Sequence, residues 1–254
     1  DAFKVEALWP RYNAFLERHF GSFELPNQEP TRNPEKRAAV ITPQILGVDH
    51  STTRIALEYS RALSARGARS VLLANTELFP QQNEAPINGA FIANRHPDSP
   101  DDISRLDYEG SAFIYWRAND VGFSVPKVKK AILSVDAYSP SVIYAHGDWN
   151  MVADVLARKY PVVHIPSLQG RAMSHAHAYL IPAIEESREL PEPLEDQIGE
   201  YHPFKYMPIV PVVSQETPER IPGIPQDAIV FALVGSRLPT EIDDSFAEIV
   251  AELL

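Results

Sequence analysis

A short hydrophobic strand that ends in a polar cluster is the feature that most constrains the fold. Residues 140–146 contain a β-branched run that ends at His146, and residues 151–157 show helical patterning. A second buried run follows directly at residues 161–165. Strands that alternate with helices in this way form parallel sheets. The polar cluster at residues 146–149 is therefore expected at the carboxyl edge of the sheet, where open α/β sheets bind ligands and where a helix N-terminus favours anions.

The same alternation of strands and helices extends through most of the chain. A first strand is predicted within residues 36–46, and the helix that follows it is predicted to end at Gly67. A second strand is predicted at residues 70–74, which completes a β-α-β unit. Two further short strands are expected at residues 91–93 and 112–116.

Two more helices and one irregular region complete the prediction. Residues 125–138 form an amphipathic pattern with its lysines on the solvent side: Lys127, Lys129 and Lys130. Residues 3–20 carry apolar side chains at helical spacing, and Pro10 is expected to break that helix. Proline is concentrated in residues 182–225, where irregular structure is expected apart from a possible last strand at residues 209–213.

We therefore predict an α/β protein built on a Rossmann-like parallel sheet with helices on both faces, followed by an incomplete second α/β domain. The buried run at residues 228–234 and the helical pattern at residues 242–254 supply only one strand and one helix, which cannot make a sheet. The prediction divides the chain into four parts. Residues 1–36 form an N-terminal helical extension and linker, and residues 37–217 form a Rossmann-like domain. Residues 218–225 form a second linker, and residues 226–254 begin a second domain.

Composition excludes several classes of function. Hydrophobic residues make up 44% of the chain, and the formal net charge of −11 argues against binding to nucleic acid or to anionic lipid. No apolar run reaches the length of about 18 residues that suggests a membrane span, so no integral membrane segment is predicted. Cysteine is absent, which rules out disulfides and thiolate metal sites, and we expect a cytoplasmic protein.

Several common catalytic and binding motifs are missing. The chain has no Gly-x-Ser-x-Gly, no P-loop and no Gly-x-Gly-x-x-Gly, which disfavours a nucleotide-hydrolysing P-loop enzyme and a dinucleotide-dependent dehydrogenase. His164, His175 and His177 lie close in sequence, but they have no carboxylate at motif spacing. No metal site and no cofactor are therefore predicted.

The residues that could carry chemistry follow the predicted strands. His146 and Asp148 cluster beside a helix start, where His146 could contact a substrate or be a buried, hydrogen-bonded histidine. Asp148 could act in the same site or cap the helix, and Trp149 is expected in the core. Arg237 follows a strand and the turn at Gly235, so its guanidinium could bind a diphosphate bidentately or pair with a surface carboxylate.

Three segments in the same order resemble the retaining glycosyltransferases of the glycogen-synthase and sucrose-synthase type. Residues 144–149 read Tyr-Ala-His-Gly-Asp-Trp, similar to the family's His-Ala-His-Asp-Trp. Residues 38–75 match the family's opening strand, turn, helix and strand. Residues 234–241 read Val-Gly-Ser-Arg-Leu-Pro-Thr-Glu and resemble the Gly-Arg-Leu-x-x-Glu-Lys opening of its donor domain.

The resemblance implies a two-domain GT-B glycosyltransferase, of which this chain holds the acceptor-side domain and the start of the donor-side domain. It implies a nucleotide-sugar donor, a saccharide or other acceptor, and the rest of the second domain as partners. The resemblance implies catalytic roles for His146 and Asp148, and donor or phosphate binding for Arg237, Gly235 and Gly47. His50, after the first strand, could contact the acceptor or be an exposed loop histidine. Arg54, one turn into the next helix, could meet an anionic acceptor or be solvated, and Arg171 and His175 could line an acceptor cleft because they follow the strand that ends at residue 165, at the same carboxyl edge.

Two other interpretations remain open from the sequence. Tyr144 stands where the family has a histidine, and Ile242 stands where it usually has a lysine. A GT-B-like domain with such departures could be a non-catalytic binding or scaffold module. A sugar-nucleotide 2-epimerase shares the two-domain architecture, although the Gly-Ser-Arg-Leu-x-x-Glu segment argues mildly against it.

Overall fold

The computed structural model describes residues 5–26, 36–43, 45, 51–76, 104–117, 123–147, 149–166, 171–183 and 190–205. Its helices are α1 (Val5–Phe20), α2 (Ser51–Ala65), α3 (Val125–Tyr138) and α4 (Met151–Leu156). Its strands are β1 (Arg37–Thr42), β2 (Ser70–Asn75), β3 (Ser104–Tyr108), β4 (Ser111–Arg117), β5 (Val142–His146), β6 (Val162–Ile165), β7 (Ala178–Ala183) and β8 (Glu200–Lys205).

The strands form one sheet in the order β3-β4-β2-β1-β5-β6-β7-β8. Every neighbouring pair is parallel except β3 and β4, which form an antiparallel hairpin at one edge. The prediction of an α/β protein with a mostly parallel sheet is confirmed, and the architecture is compatible with a Rossmann-like fold. The strand order reverses direction between β1 and β5, because β2 lies on one side of β1 and β5 lies on the other.

Helices cover both faces of this sheet. Val40 and Leu73 point to the face where α2 packs, and they share a buried cluster with Leu57 of that helix. The alternate strand residues, such as Ile41, point to the opposite face and pack with α1, α3 and α4; Ile132 of α3 belongs to that cluster. The period of two along each strand therefore sorts the core into two layers.

Several predicted elements are confirmed. The structure contains α2, β2, β4, α3, β5, α4 and β6 at the expected positions, and β1 occupies the first part of its predicted range. Gly67 follows α2 with a φ of 91°, the left-handed conformation that glycine adopts readily after a helix. None of the helices in the described part of the chain combines the length and apolar character needed to cross a bilayer.

Two predictions about helices are wrong. Pro10 does not break α1, which continues from Val5 to Phe20. A proline removes a hydrogen bond from a helix, but α1 buries Trp9 and Phe20 in the core, and this packing holds the helix together. Lys127 does not face solvent with Lys130, because it is only 1% exposed, whereas Lys130 is exposed.

The proline-rich region also contains more structure than expected. The strands β7 and β8 pair in parallel over their full length, with Ile181 opposite Pro203 and Pro182 opposite Phe204. Strand β6 pairs with β7 at Ala178 and Tyr179, so among the described strands Pro182 has a partner on one side only. Proline cannot donate to a ladder, and such one-sided positions tolerate it.

The hairpin strand β3 was not anticipated from the sequence. It pairs with β4 through a turn in which Gly110 has a φ of 75°. The strands predicted at residues 91–93 and 209–213, and the predicted divisions at residues 218–225 and 226–254, lie outside the described residues.

Candidate functional site

The point where the strand order reverses is the natural place for a ligand site. Strand β1 leads to α2 on one face of the sheet, and β5 leads to α4 on the opposite face. The chain therefore diverges from the carboxyl ends of two adjacent parallel strands. Open α/β sheets bind their ligands outside the carboxyl ends of the strands, at such a reversal of strand order.

A row of buried polar side chains crosses four strands at this edge. Thr42 at the end of β1 is in register with Asn75 of β2, which is in register with Arg117 of β4. His146 lies one position beyond the pair Ile41–Ala145 and thus beside Thr42. All four side chains are buried, and strand alternation points them to the face covered by α2. We call Thr42, Asn75, Arg117 and His146 the polar row.

Arg117 is a residue that the sequence analysis missed. It ends β4, one residue beyond the strand predicted at residues 112–116, and it is buried, although a guanidinium is among the costliest groups to remove from water. Its neighbour Asn75 donates from Nδ2 to the hydroxyl of Tyr115 at 3.0 Å. The signal that could have identified it is a charged residue placed directly after an apolar strand of a parallel sheet.

His164 orders the turn that follows His146. It lies on β6, and its Nε2 is 2.7 Å from the carbonyl oxygen of Gly147. Burial is the main cause that lowers the pKa of His164 from 6.5 to about 4; the hydrogen bond to Gly147 opposes the shift, and the nearby His146 contributes to it. The ring is therefore neutral at physiological pH, and Nε2–H donates to that carbonyl.

Gly147 lies where the turn after β5 approaches the turn after β1. Its φ of 118° lies in the left-handed region that glycine favours. A Cβ at this position would lie 3.4 Å from Cγ of Pro43, the residue that follows β1. A glycine at the end of β5 therefore allows the turns after β5 and β1 to approach closely.

Asn150, and not Asp148, caps α4. Its Oδ1 accepts from the backbone N–H of Ala153 at 3.1 Å, and its Nδ2 donates to the carbonyl of Ile41 at 3.3 Å. The capping role considered for Asp148 thus belongs to a residue two positions later. Trp149 is half-buried and packs against the core on the α4 side, as the core interpretation expects.

The candidate acceptor-binding residues do not all lie together. Arg54 is exposed on α2, on the face toward which the polar row points. Arg171 pairs instead with Glu6 of α1 at 2.5 Å, and His175 packs against Trp9 of the same helix. Arg171 and His175 therefore contact the helix that covers the opposite face. Gly47, His50, Asp148, Gly235 and Arg237 lie outside the described residues.

His175 and His177, which are close in sequence, form hydrogen bonds with different partners. Nε2 of His175 is 2.8 Å from Oδ1 of Asn13, whereas Nδ1 of His177 accepts from the backbone N–H of Val162 at 3.1 Å. Within the ranges that the structure describes, no group of three or more His, Asp or Glu side chains is arranged to hold a metal ion.

A buried carboxylate, also missed from the sequence, joins α1 to the rest of the domain. Asp154 of α4 accepts hydrogen bonds from the hydroxyls of Tyr12 and Ser174 and, at 2.8 Å, from the backbone N–H of His175. Burial raises the pKa of Asp154 from 3.8 to about 7, although these hydrogen bonds oppose the shift. These hydrogen bonds connect α1, α4 and the segment that precedes β7.

The polar row thus places a buried imidazole, hydroxyl, amide and guanidinium at the carboxyl edge of the sheet. Such a set of converging polar groups can orient a polar or anionic small molecule. Comparisons of this chain with protein-family models, with curated proteins and with solved structures found no match.

Proposed function

We propose that this chain contributes the acceptor-side domain of a two-domain glycosyltransferase that uses a nucleotide-sugar donor. The observation that carries the proposal is the polar row, which brings His146 and Arg117 to the carboxyl edge beside the strand reversal. The sequence resemblance to the glycogen-synthase and sucrose-synthase type adds the reaction class.

The chemistry of glycosyl transfer suits groups of this kind. The reaction passes through an oxocarbenium-like state and releases a charged diphosphate, so it requires oriented polar groups and nearby positive charge. In the proposal, His146 and Asp148 contact the reacting sugar. Arg237, Gly235 and Gly47 bind the donor phosphates.

A non-catalytic binding module is the second candidate, and one observation favours it. His146 is only 3% exposed, so its imidazole does not open broadly to solvent. Tyr144, which stands where the family has a histidine, is half-buried and packs toward the α2 cluster. These features fit a domain that keeps the fold and binds a partner without transferring a sugar.

Ligand titrations followed by the histidine ring resonances test the proposal. Neutral oligosaccharides and sugar phosphates should shift the ring signals of His146, with affinities in the millimolar range typical of an isolated subsite. Nucleotide sugars alone should bind weakly or not at all, because the proposed donor-side groups belong mainly to the second domain. The His146→Gln variant should lose the saccharide response.

His202→Gln is the matched control, because His202 is exposed on the edge strand β8. It should bind saccharides as the unmodified chain does. Sub-micromolar binding of a nucleotide sugar by this chain would contradict the proposed division between donor and acceptor domains. A saccharide response that survives in His146→Gln would remove His146 from the site and favour the binding module.

A further inference from the structure

A second concave site lies on the α1 side of the sheet, away from the polar row. It is a cavity of about 420 Å³ between α1, α4 and the turn that precedes β8. Pockets that bind small molecules are typically between about 300 and 1,000 Å³, so this volume suits a compact organic ligand. Of the candidate glycosyl-transfer residues that the structure describes, His175 lines this cavity, whereas Arg54, His146 and Arg171 do not.

Part of the lining is aliphatic. Leu16 of α1 and Val155 of α4 are buried, and Ile198 stands at the opening with 73% of its surface exposed. Ile198 is the most exposed large hydrophobic residue in the described part of the chain. An apolar body in the cavity would remove part of that surface from water, which favours binding.

The charged groups of the cavity favour a cation. Glu17 and Asp196 place two exposed carboxylates on the lining, against one guanidinium from Arg158. Nη1 of Arg158 already donates to the carbonyl of Phe20 at 2.7 Å. The carboxylate of Asp154 is held by three protein donors, so it contributes to the wall without needing a ligand.

His175 does not add positive charge to this site. Its Nε2 is hydrogen-bonded to Oδ1 of Asn13, and its ring centroid lies 4.6 Å from that of Trp9. Burial lowers the pKa of His175, with Arg158 acting in the same direction and Asp196 opposing it. The imidazole is therefore neutral at physiological pH, which leaves Nδ1 as a hydrogen-bond acceptor.

We propose that this cavity binds a small organic amine. The protonated nitrogen lies near the carboxylates of Glu17 and Asp196, and the apolar body packs against Leu16, Val155 and Ile198. This site lies on a different face of the sheet from the polar row and uses a different set of charges, although its lining includes His175, one of the acceptor-binding candidates.

The indole N–H of Trp9 reports on this cavity through its neighbours, the lining residue His175 and the backbone next to Asp196. It donates to the carbonyl of Glu195 at 2.7 Å, next to Asp196, and the same ring contacts His175. The chain has three tryptophans, so a Trp9→Phe variant assigns the signal in a ¹H–¹⁵N spectrum. Phenethylamine should shift this signal with saturation in the millimolar range. The uncharged phenethyl alcohol and the anionic 3-phenylpropionate should bind more weakly.

Substitutions at the two carboxylates test the source of the affinity. The double variant Glu17→Gln and Asp196→Asn should weaken phenethylamine binding about tenfold, since each exposed charge contributes modestly. Asparagine suits the φ of 69° at position 196. Glu24→Gln is the matched control, because Glu24 is an exposed carboxylate outside the cavity lining, and it should leave the affinity unchanged.

Three results would overturn the proposal. They are equal or tighter binding of 3-phenylpropionate, no saturable shift of the Trp9 signal with phenethylamine, and unchanged phenethylamine affinity in the double variant. Circular dichroism of each variant verifies that the fold is retained. A loss of amine binding together with retained saccharide binding in the double variant separates this site from the polar row.

Discussion

Two buried ionisable groups should oppose each other in the pH dependence of stability. The folded state raises the pKa of Asp154 from 3.8 to about 7, because burial disfavours its charged form. It lowers the pKa of His164 from 6.5 to about 4, also mainly through burial. Burial disfavours the charged form of both groups, so it raises the pKa of the acid and lowers the pKa of the base.

The sign and the magnitude follow from proton linkage. The folded state binds a proton at Asp154 more tightly than the unfolded state does, so the free energy of unfolding falls by about 4 kcal/mol between about pH 4 and pH 7. The unfolded state binds a proton at His164 more tightly, so the free energy of unfolding rises by about 3 kcal/mol between about pH 4 and pH 6.5. These two contributions largely cancel in the unmodified chain.

Single variants should reveal each contribution. Urea unfolding of the unmodified chain, Asp154→Asn and His164→Gln is measured across this pH range at constant ionic strength. Subtracting each variant's free energy of unfolding from that of the unmodified chain removes the contributions of all other groups. The difference for Asp154→Asn should fall by about 4 kcal/mol as pH rises. The difference for His164→Gln should rise by about 3 kcal/mol.

Asn replaces Asp154 and Gln replaces His164 because these amide side chains are similar in size and can form hydrogen bonds but do not titrate. The control is Asp107→Asn, because Asp107 is exposed and its ion pair with Arg105 lies on the surface, where such pairs contribute little. Its difference curve should be nearly flat. A flat curve for Asp154→Asn, or a curve of opposite slope, would refute the argument that burial controls this carboxyl group.

Three further substitutions should reduce stability, each measured by urea unfolding at neutral pH. Gly147→Ala should cost about 2 kcal/mol, because it forces a φ of 118° on a residue with a side chain. Asn150→Ala should cost about 2 kcal/mol, because it removes the cap of α4 and a donor to the carbonyl of Ile41. Lys159→Met should cost about 2 kcal/mol, because it leaves the buried carboxylate of Asp136 without its 2.7 Å ion pair.

Each of these substitutions has a control within the chain. Gly110 has a φ of 75°, much closer than 118° to the left-handed region that residues with side chains can adopt, so Gly110→Ala should cost less than Gly147→Ala. Asn150→Ser should recover the capping part of the loss. Lys130→Met alters an exposed lysine of α3 and should change stability by no more than about 0.5 kcal/mol. Equal losses in a variant and its control would show that the named contact is not the cause.

Local patterning was sufficient to predict much of the sheet and one residue of the polar row. Alternation and helical spacing identified β2, β4, β5 and β6 and the helices between them, because these segments combine strong periodicity with clear ends such as Gly67. The position of His146 at the end of β5 follows from the same pattern. The sequence could not identify Arg117, Asn75 and Thr42 as members of the polar row, because no local pattern specifies which strands become neighbours in the sheet.

The sequence by itself therefore determined the α/β class, most of the strand and helix positions, and an edge where His146 would lie. Only the tertiary structure decided that Lys127 is buried, that Pro10 is tolerated in α1, and that Asp154 joins that helix to the domain. The reason is that burial and hydrogen bonding depend on partners far away in the chain. Tyr12 and Asp154, separated by 142 positions, become neighbours only when α1 packs onto α4.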